Sequence, residues 1–151
     1  MSHKLLHKLL YYSLLTAISA CTKPEEIAPE NITRIEYSSY FGFAGWTWNL
    51  AVTPTEYTLT QSNRSGVICR NPVSAADWQD LIQGIDWKSY LKERSTPVGE
   101  CCDRSSVSIR VTAGKVVHQV ERYGILKDST ALGKLSDRLS KRLADQTAVC
   151  K

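Results

Sequence analysis

The side chains with the most reactive chemistry in this 151-residue chain are its histidines and cysteines. A thiol can carry an acyl chain, form a disulfide or bind a metal, and a histidine can bind a metal or transfer protons. His3 and His7 lie at the extreme N-terminus, and His118 falls within a predicted strand with no predicted acid or nucleophile beside it. We expect His118 to be structural, and we expect no catalytic residue, cofactor or metal. The cysteines are Cys21, Cys69, Cys101, Cys102 and Cys150.

The first 20 residues have the three zones of a secretory signal peptide. Lys4 and Lys8 make a basic start, residues 9–18 are mostly apolar, and Ser19-Ala20 supplies the small residues that a signal peptidase needs beside its cut. A membrane span needs about 20 predominantly apolar residues, so this stretch is too short to be one. We therefore expect residues 1–20 to be a leader that is removed.

The end of the leader, Ile18-Ser19-Ala20-Cys21, resembles the lipobox of bacterial lipoproteins. The resemblance implies that the Cys21 thiol is diacylated and that the mature chain begins at Cys21, in the cell envelope. Each buried CH₂ of an acyl chain contributes about 0.8 kcal/mol, so several chains anchor the protein stably to a membrane. Thr22 stands where an aspartate would retain an enterobacterial lipoprotein at the inner membrane, which favours the outer membrane. The periplasmic and surface faces both stay open.

The mature chain has a nearly balanced charge. Losing Lys4 and Lys8 with the leader takes the 19 Lys and Arg residues to 17, against 15 Asp and Glu. This balance gives no electrostatic reason to expect a nucleic-acid partner. Residues 21–31 are polar, acidic and proline-containing, which predicts a flexible tether, and residues 32–151 suit a single globular domain.

Alternating and helical apolar patterns follow one another along this domain. Ser74 with Asp77 three residues later is typical of a helix start, and a stripe of leucines predicts a second helix. Trp87, Tyr90 and Leu91 are expected in an irregular apolar flap. The order β-β-β-α-β-β-α predicts an α+β fold, with an antiparallel sheet of about four to five strands and two helices packed on one face. Strands are predicted at 33–37, 46–52, 56–60, 107–111 and 116–123, with a short segment at 67–69, and helices at 74–84 and 130–144.

The four cysteines after Cys21 predict a disulfide-stapled domain, because an even count in an exported protein favours disulfides. Adjacent cysteines rarely bridge each other, since the ring that they would close is strained. Two pairings stay open: Cys69–Cys101 with Cys102–Cys150, or Cys69–Cys102 with Cys101–Cys150. Each bridge would stabilise the fold by about 2–4 kcal/mol. A redox or zinc site at Cys101-Cys102 is the alternative, but the pair lacks the usual two-residue spacer.

Three short segments carry a family resemblance. They are Tyr-Phe-Gly-Phe-Ala-Gly-Trp at 40–46, Ser-Ala-Ala-Asp-Trp-Gln-Asp-Leu at 74–81, and Val-Gly-Glu-Cys-Cys-Asp at 98–103. Together they resemble a group of small exported bacterial proteins of uncharacterised function. The Gly-Phe-Ala-Gly loop at 42–45 and the leucine stripe of the last helix also resemble emfourin-type inhibitors of thermolysin-like metalloproteases. That second resemblance implies an inhibitor whose partner is a protease.

The residues predicted to contact a partner are the aromatic ones around this glycine-rich loop. Loops run over the surface, and exposed aromatic side chains there commonly anchor partners. We therefore predict a non-catalytic binding or inhibitor module with a protein partner. An accessory subunit of an outer-membrane complex is the alternative, and a hydrolase would have to use scattered carboxylates such as Asp86, Glu100 and Asp103. The predicted contact residues are Tyr40, Phe41, Phe43 and Trp46.

Overall fold

The computed structural model describes residues 26–64, 66–96, 105–124, 126 and 129–150. It confirms an α+β fold built on an antiparallel sheet, with six strands in the order β4-β3-β2-β1-β5-β6. Neighbouring strands pair antiparallel throughout. The strands are β1 Ile32–Phe41, β2 Trp46–Val52, β3 Glu56–Gln61, β4 Val67–Pro72, β5 Ser106–Ala113 and β6 Val116–Tyr123.

Three helices accompany the sheet in the described part of the chain: α1 Ala75–Ile82, α2 Trp87–Tyr90 and α3 Ala131–Val149. Short 3-10 turns cover Pro29–Asn31 and Gly42–Ala44. None of the helices in the described ranges is long and apolar enough to cross a membrane.

The described residues form six strands, against the four to five predicted, and three helices, against the two predicted. The short segment at 67–69 continues to Pro72 as the edge strand β4, which pairs with β3 although Arg70 and Asn71 interrupt its apolar pattern. The predicted irregular flap contains the single helical turn α2, where the Asp86 side chain accepts the Ser89 backbone N–H at 3.0 Å. One turn is too short to show a helical period, so the pattern could not reveal it.

The core lies between one face of the sheet and the three helices. Strands β1, β2, β3 and β5 alternate buried and more exposed side chains, which is the period of a sheet covered on one face. Helix α3 buries the predicted leucine stripe, and α1 buries Trp78 and Leu81. Ile27, which precedes β1, is 3% exposed and joins the same core. The stripe is Leu132, Leu135, Leu139 and Leu143.

Side-chain hydrogen bonds fix the helix ends. The Ser74 hydroxyl accepts the Asp77 backbone N–H at 3.1 Å, so the predicted start of α1 is confirmed. The Thr130 hydroxyl accepts the Gly133 N–H at 2.9 Å and starts α3. At the other end of α1, Arg138 of α3 donates to the carbonyls of Asp80, Leu81 and Gln83. Arg138 therefore ties α1 to α3 through backbone groups that the helix end leaves unpaired.

The disulfide pairing differs from both predicted alternatives, because the structure joins Cys69 to Cys150. Their Cα atoms are 5.9 Å apart, within the range of a disulfide. Helix α3 runs to Val149, five residues beyond its predicted end, and this brings Cys150 beside β4. Both predicted alternatives excluded a bridge between the adjacent cysteines Cys101 and Cys102. These two cysteines lie outside the described residues.

Candidate binding site

The β1–β2 connection positions the predicted contact residues. Phe41 ends β1 and lies opposite Trp46, the first residue of β2. Gly45 has a φ of +64°, a left-handed conformation that glycine adopts without the steric cost of a Cβ. Its N–H donates to the Phe41 carbonyl at 3.0 Å, which closes the connection. The hairpin therefore holds its two terminal aromatic residues side by side.

Phe41, Trp46 and Trp48 form a packed row of rings, which we call the aromatic end of the sheet. The ring centroids of Phe41 and Trp46 are 5.0 Å apart, and those of Trp46 and Trp48 are 5.8 Å apart at a nearly perpendicular angle. Both spacings are those of favourable aromatic pairs. Phe41 is 41% exposed, and the two tryptophans are half-buried.

The aromatic end lies on the core face of the sheet, where burial decreases along the strands. Trp46 and Trp48 share a face with Leu50 and Val52, because alternate residues of a strand point the same way. Leu50 and Val52 are fully buried, whereas the two tryptophans are only half-buried. Trp48 still packs against the core. The three rings thus extend the core face toward solvent.

The structure separates the four predicted contact residues. Phe41 and Trp46 lie together, but Tyr40 belongs to the opposite face of the sheet, opposite Thr47 of β2 and Ser106 of β5. Strand β1 continues to Phe41, four residues beyond its predicted end at 37 and into the predicted loop, so its alternation places Tyr40 and Phe41 on opposite faces. The side chain of Phe43 lies outside the described residues. Trp48 is the member of the aromatic end that was not among the predicted contacts.

The opposite face of the sheet is polar and holds a shallow depression of about 310 Å³. Among its lining residues, Glu36 accepts two hydrogen bonds from Arg34 at 3.0 and 2.9 Å and lies 3.7 Å from Nε of Arg110. The Ser38 hydroxyl donates to the Asn49 side-chain carbonyl at 2.7 Å. The sequence analysis did not single out this face, although its residues alternate with the predicted core positions. A solvated polar face is usual for an antiparallel sheet.

His118 is half-buried and packs beside Tyr90. The two rings meet edge to face with centroids 5.2 Å apart, and Nε2 of His118 is buried without a partner in the described part of the chain. The Tyr90 hydroxyl donates to the Ile109 carbonyl at 3.0 Å, and burial raises the pKa of Tyr90. These contacts describe a half-buried ring that packs against the fully buried Tyr90.

Among the carboxylates considered for a hydrolase, Asp86 has a structural role. One of its oxygens accepts the Ser89 N–H and the other accepts the Ser89 hydroxyl at 2.6 Å, which starts helix α2. These hydrogen bonds from Ser89 lower the pKa of Asp86. Glu100 and Asp103 lie outside the described residues. Within the described ranges, no three His, Cys, Asp or Glu side chains are grouped so that they could hold a metal ion.

Comparison of the chain with protein-family models and with curated proteins gives no match. The candidate site therefore has to be interpreted from its own geometry. The site that this geometry favours is the aromatic end, where a fixed hairpin presents rings to solvent.

Proposed function

We propose that this protein is a lipid-anchored component of the cell envelope that binds a protein partner through its aromatic end. Cys21 carries the lipid, and the domain that follows acts as a non-catalytic binding module. The observation that carries the proposal is the 41% exposure of Phe41 at the tip of a closed hairpin, backed by two tryptophans.

The packing of the rings supports this proposal on energetic grounds. Phe41 and Trp46 are held against each other before any partner arrives, so little side-chain entropy remains to be lost on binding. Aromatic residues that fill a desolvated pocket dominate the energy of many interfaces, and truncation of such a residue costs about 2 kcal/mol or more. A factor of ten in the dissociation constant corresponds to about 1.4 kcal/mol.

A crosslinking experiment tests the contact surface. A photo-crosslinking phenylalanine analogue placed at position 41 should capture a protein partner in cells that make this chain. The same analogue at Val117 is the matched control, because Val117 is 49% exposed and lies on β6, away from the hairpin. Capture at 117 but not at 41 would refute the proposed surface. An exported protease as the captured protein supports the inhibitor function, and a resident envelope protein supports the accessory subunit.

A variant pair tests the energetic contribution. The double variant Phe41→Ala with Trp46→Ala should weaken binding to the captured partner at least about 30-fold, which corresponds to about 2 kcal/mol. Val117→Ala removes an exposed apolar group of β6 near the β5–β6 turn, far from the hairpin, and should leave the affinity unchanged. An equal loss in Val117→Ala would argue against the aromatic end.

The lipid anchor has its own test. Cys21→Ser should abolish incorporation of a labelled fatty acid and release the protein from membranes, because no acyl chain remains to hold it. If that variant still labels and still fractionates with membranes, the lipid is not on Cys21 and the lipobox interpretation is wrong.

A further inference from the structure

The chain enters the domain at the end of the sheet opposite to the aromatic end. The Asn31 carbonyl accepts the N–H of Gly114 at 3.1 Å, which places Asn31 beside the β5–β6 turn. Ile32 then pairs with Ala113, the last residue of β5. Strand β1 runs from Ile32 to Phe41, and at about 3.4 Å per residue these two residues are about 30 Å apart.

Few residues separate Cys21 from the first residue that packs in the core. Ile27 is buried in the core, and the Asn31 N–H donates to the Ala28 carbonyl at 2.9 Å, so the chain from Ile27 onward is held against the domain. The six residue steps from Cys21 to Ile27 span about 20 Å when fully extended. A flexible chain of that length has an average span of about 13 Å.

We propose that this short tether holds the domain with its N-terminal end toward the anchoring membrane and its aromatic end away from it. The inference rests on the proposed acylation of Cys21. An inverted orientation, with Phe41 on the bilayer, would lift Asn31 about 30 Å above the surface, because that is the length of β1. Even a fully extended tether, with the 3-10 turn added, would barely reach that height, and stretching it would cost chain entropy.

This orientation identifies the occupant of the aromatic end. An exposed phenylalanine ring beside half-buried tryptophans on a lipid-anchored protein suits either a bilayer interface or a protein surface. An inverted orientation, with the rings on their own membrane, would need a fully stretched tether, so we assign them to a protein surface, one with an apolar pocket for the Phe41 ring. The β5–β6 turn, with Gly114 and the exposed Lys115, is the part of the described domain that the tether brings near the lipid headgroups.

Paramagnetic broadening in NMR spectra measures the orientation directly. The full-length acylated protein is placed in bilayer discs that contain a headgroup spin label, which broadens nearby signals. The backbone N–H signals of Gly114 and Lys115 should lose more intensity than the indole N–H signals of Trp46 and Trp48. The buried indoles of Trp78 and Trp87 provide a reference within the same molecule.

A lengthened tether provides the matched control. Ten Gly and Ser residues inserted between Glu25 and Glu26 extend the maximum span to about 55 Å, which permits either orientation. The difference in broadening between Gly114 and Trp46 should then decrease. An unchanged difference would show that something other than tether length orients the domain, and would overturn the argument.

The remaining outcomes separate this inference from the proposed function. Broadening of the Trp46 indole beyond that of Gly114 would make the membrane itself the occupant and overturn the orientation, while leaving the anchor intact. Changes in the Trp46 signal with protein concentration would identify a second copy as the occupant and would also overturn the inference. Mass spectrometry that finds no acyl chain on Cys21 would refute the proposed anchor, and the orientation argument would fail with it.

Discussion

The Cys69–Cys150 disulfide makes a quantitative prediction about stability. Replacing both cysteines, Cys69→Ser with Cys150→Ser, removes a covalent link between residues 81 positions apart. In the chain-entropy model, a loop of this length stabilises the folded state by about 4.5 kcal/mol, because the unfolded chain loses freedom when it is closed. Measured losses on removing native disulfides are typically about 2–5 kcal/mol. We therefore expect the free energy of unfolding to fall by about 2–4.5 kcal/mol.

Contacts around the disulfide determine which part of the fold becomes less stable in the double variant. Asn71 of β4 donates to the Gln146 side-chain carbonyl at 2.6 Å, and its amide nitrogen lies 3.6 Å from both sulfur atoms. This hydrogen bond still links β4 to α3 in the double variant. The domain should therefore fold, with faster amide exchange in the last turn of α3 and in the edge strand β4.

Urea unfolding of the wild type and the double variant measures the difference in free energy, with Cys101 and Cys102 kept in both proteins. Peptide mapping of the unreduced wild type should recover a linked pair that contains Cys69 and Cys150. A loss below about 1 kcal/mol would refute the entropic reasoning. A linked peptide that joins Cys69 to Cys101 or to Cys102 would refute the pairing itself.

Further predictions concern the helices and the core. Arg138→Ala should lower the free energy of unfolding in urea by about 1.5–3 kcal/mol, because three carbonyls at the end of α1 lose a charged donor. Lys134→Ala, on the exposed face of α3, is the control and should change the stability by less than about 0.5 kcal/mol. Leu139→Ala should cost about 2–5 kcal/mol in the same assay, since this side chain is fully buried. Tyr90→Phe should cost about 1 kcal/mol at neutral pH through its lost hydrogen bond to the Ile109 carbonyl. Burial raises the pKa of Tyr90, so as the pH rises the unfolded chain loses its Tyr90 hydroxyl proton before the folded protein does. The stability of the wild type should therefore fall above about pH 10, and the stability of Tyr90→Phe should fall less in an alkaline titration. Equal alkaline sensitivity of the two proteins would contradict this assignment.

Strand β2 shows how much of the candidate site could be predicted from sequence. The alternation of residue types in its sequence places Trp46, Trp48, Leu50 and Val52 on one face, in agreement with the strand pairing. The pattern cannot tell how far along that face the helices extend, because this depends on contacts between segments distant in the chain. The half-buried state of the two tryptophans, and with it the aromatic end, therefore emerged only in the structure.

Local interactions explain which features the sequence by itself determined. The two-residue period of the strands, the leucine stripe of α3 and the Ser74 cap of α1 each depend on residues a few positions apart, and each was confirmed. The sequence did not predict α2 or the end of β4, because their patterns are too short or too polar to show a local period.

Tertiary structure decided the features that depend on distant residues meeting. Cys69 and Cys150 pair because β4 and the end of α3 lie together, which no spacing rule reveals. The burial of Ile27 leaves only five residues between Cys21 and the core, and the direction of β1 places the aromatic end about 30 Å from the first residue of that strand. Such contacts are set by the packing of the whole core, so the sequence alone predicted an anchor and an aromatic loop but not their positions relative to each other.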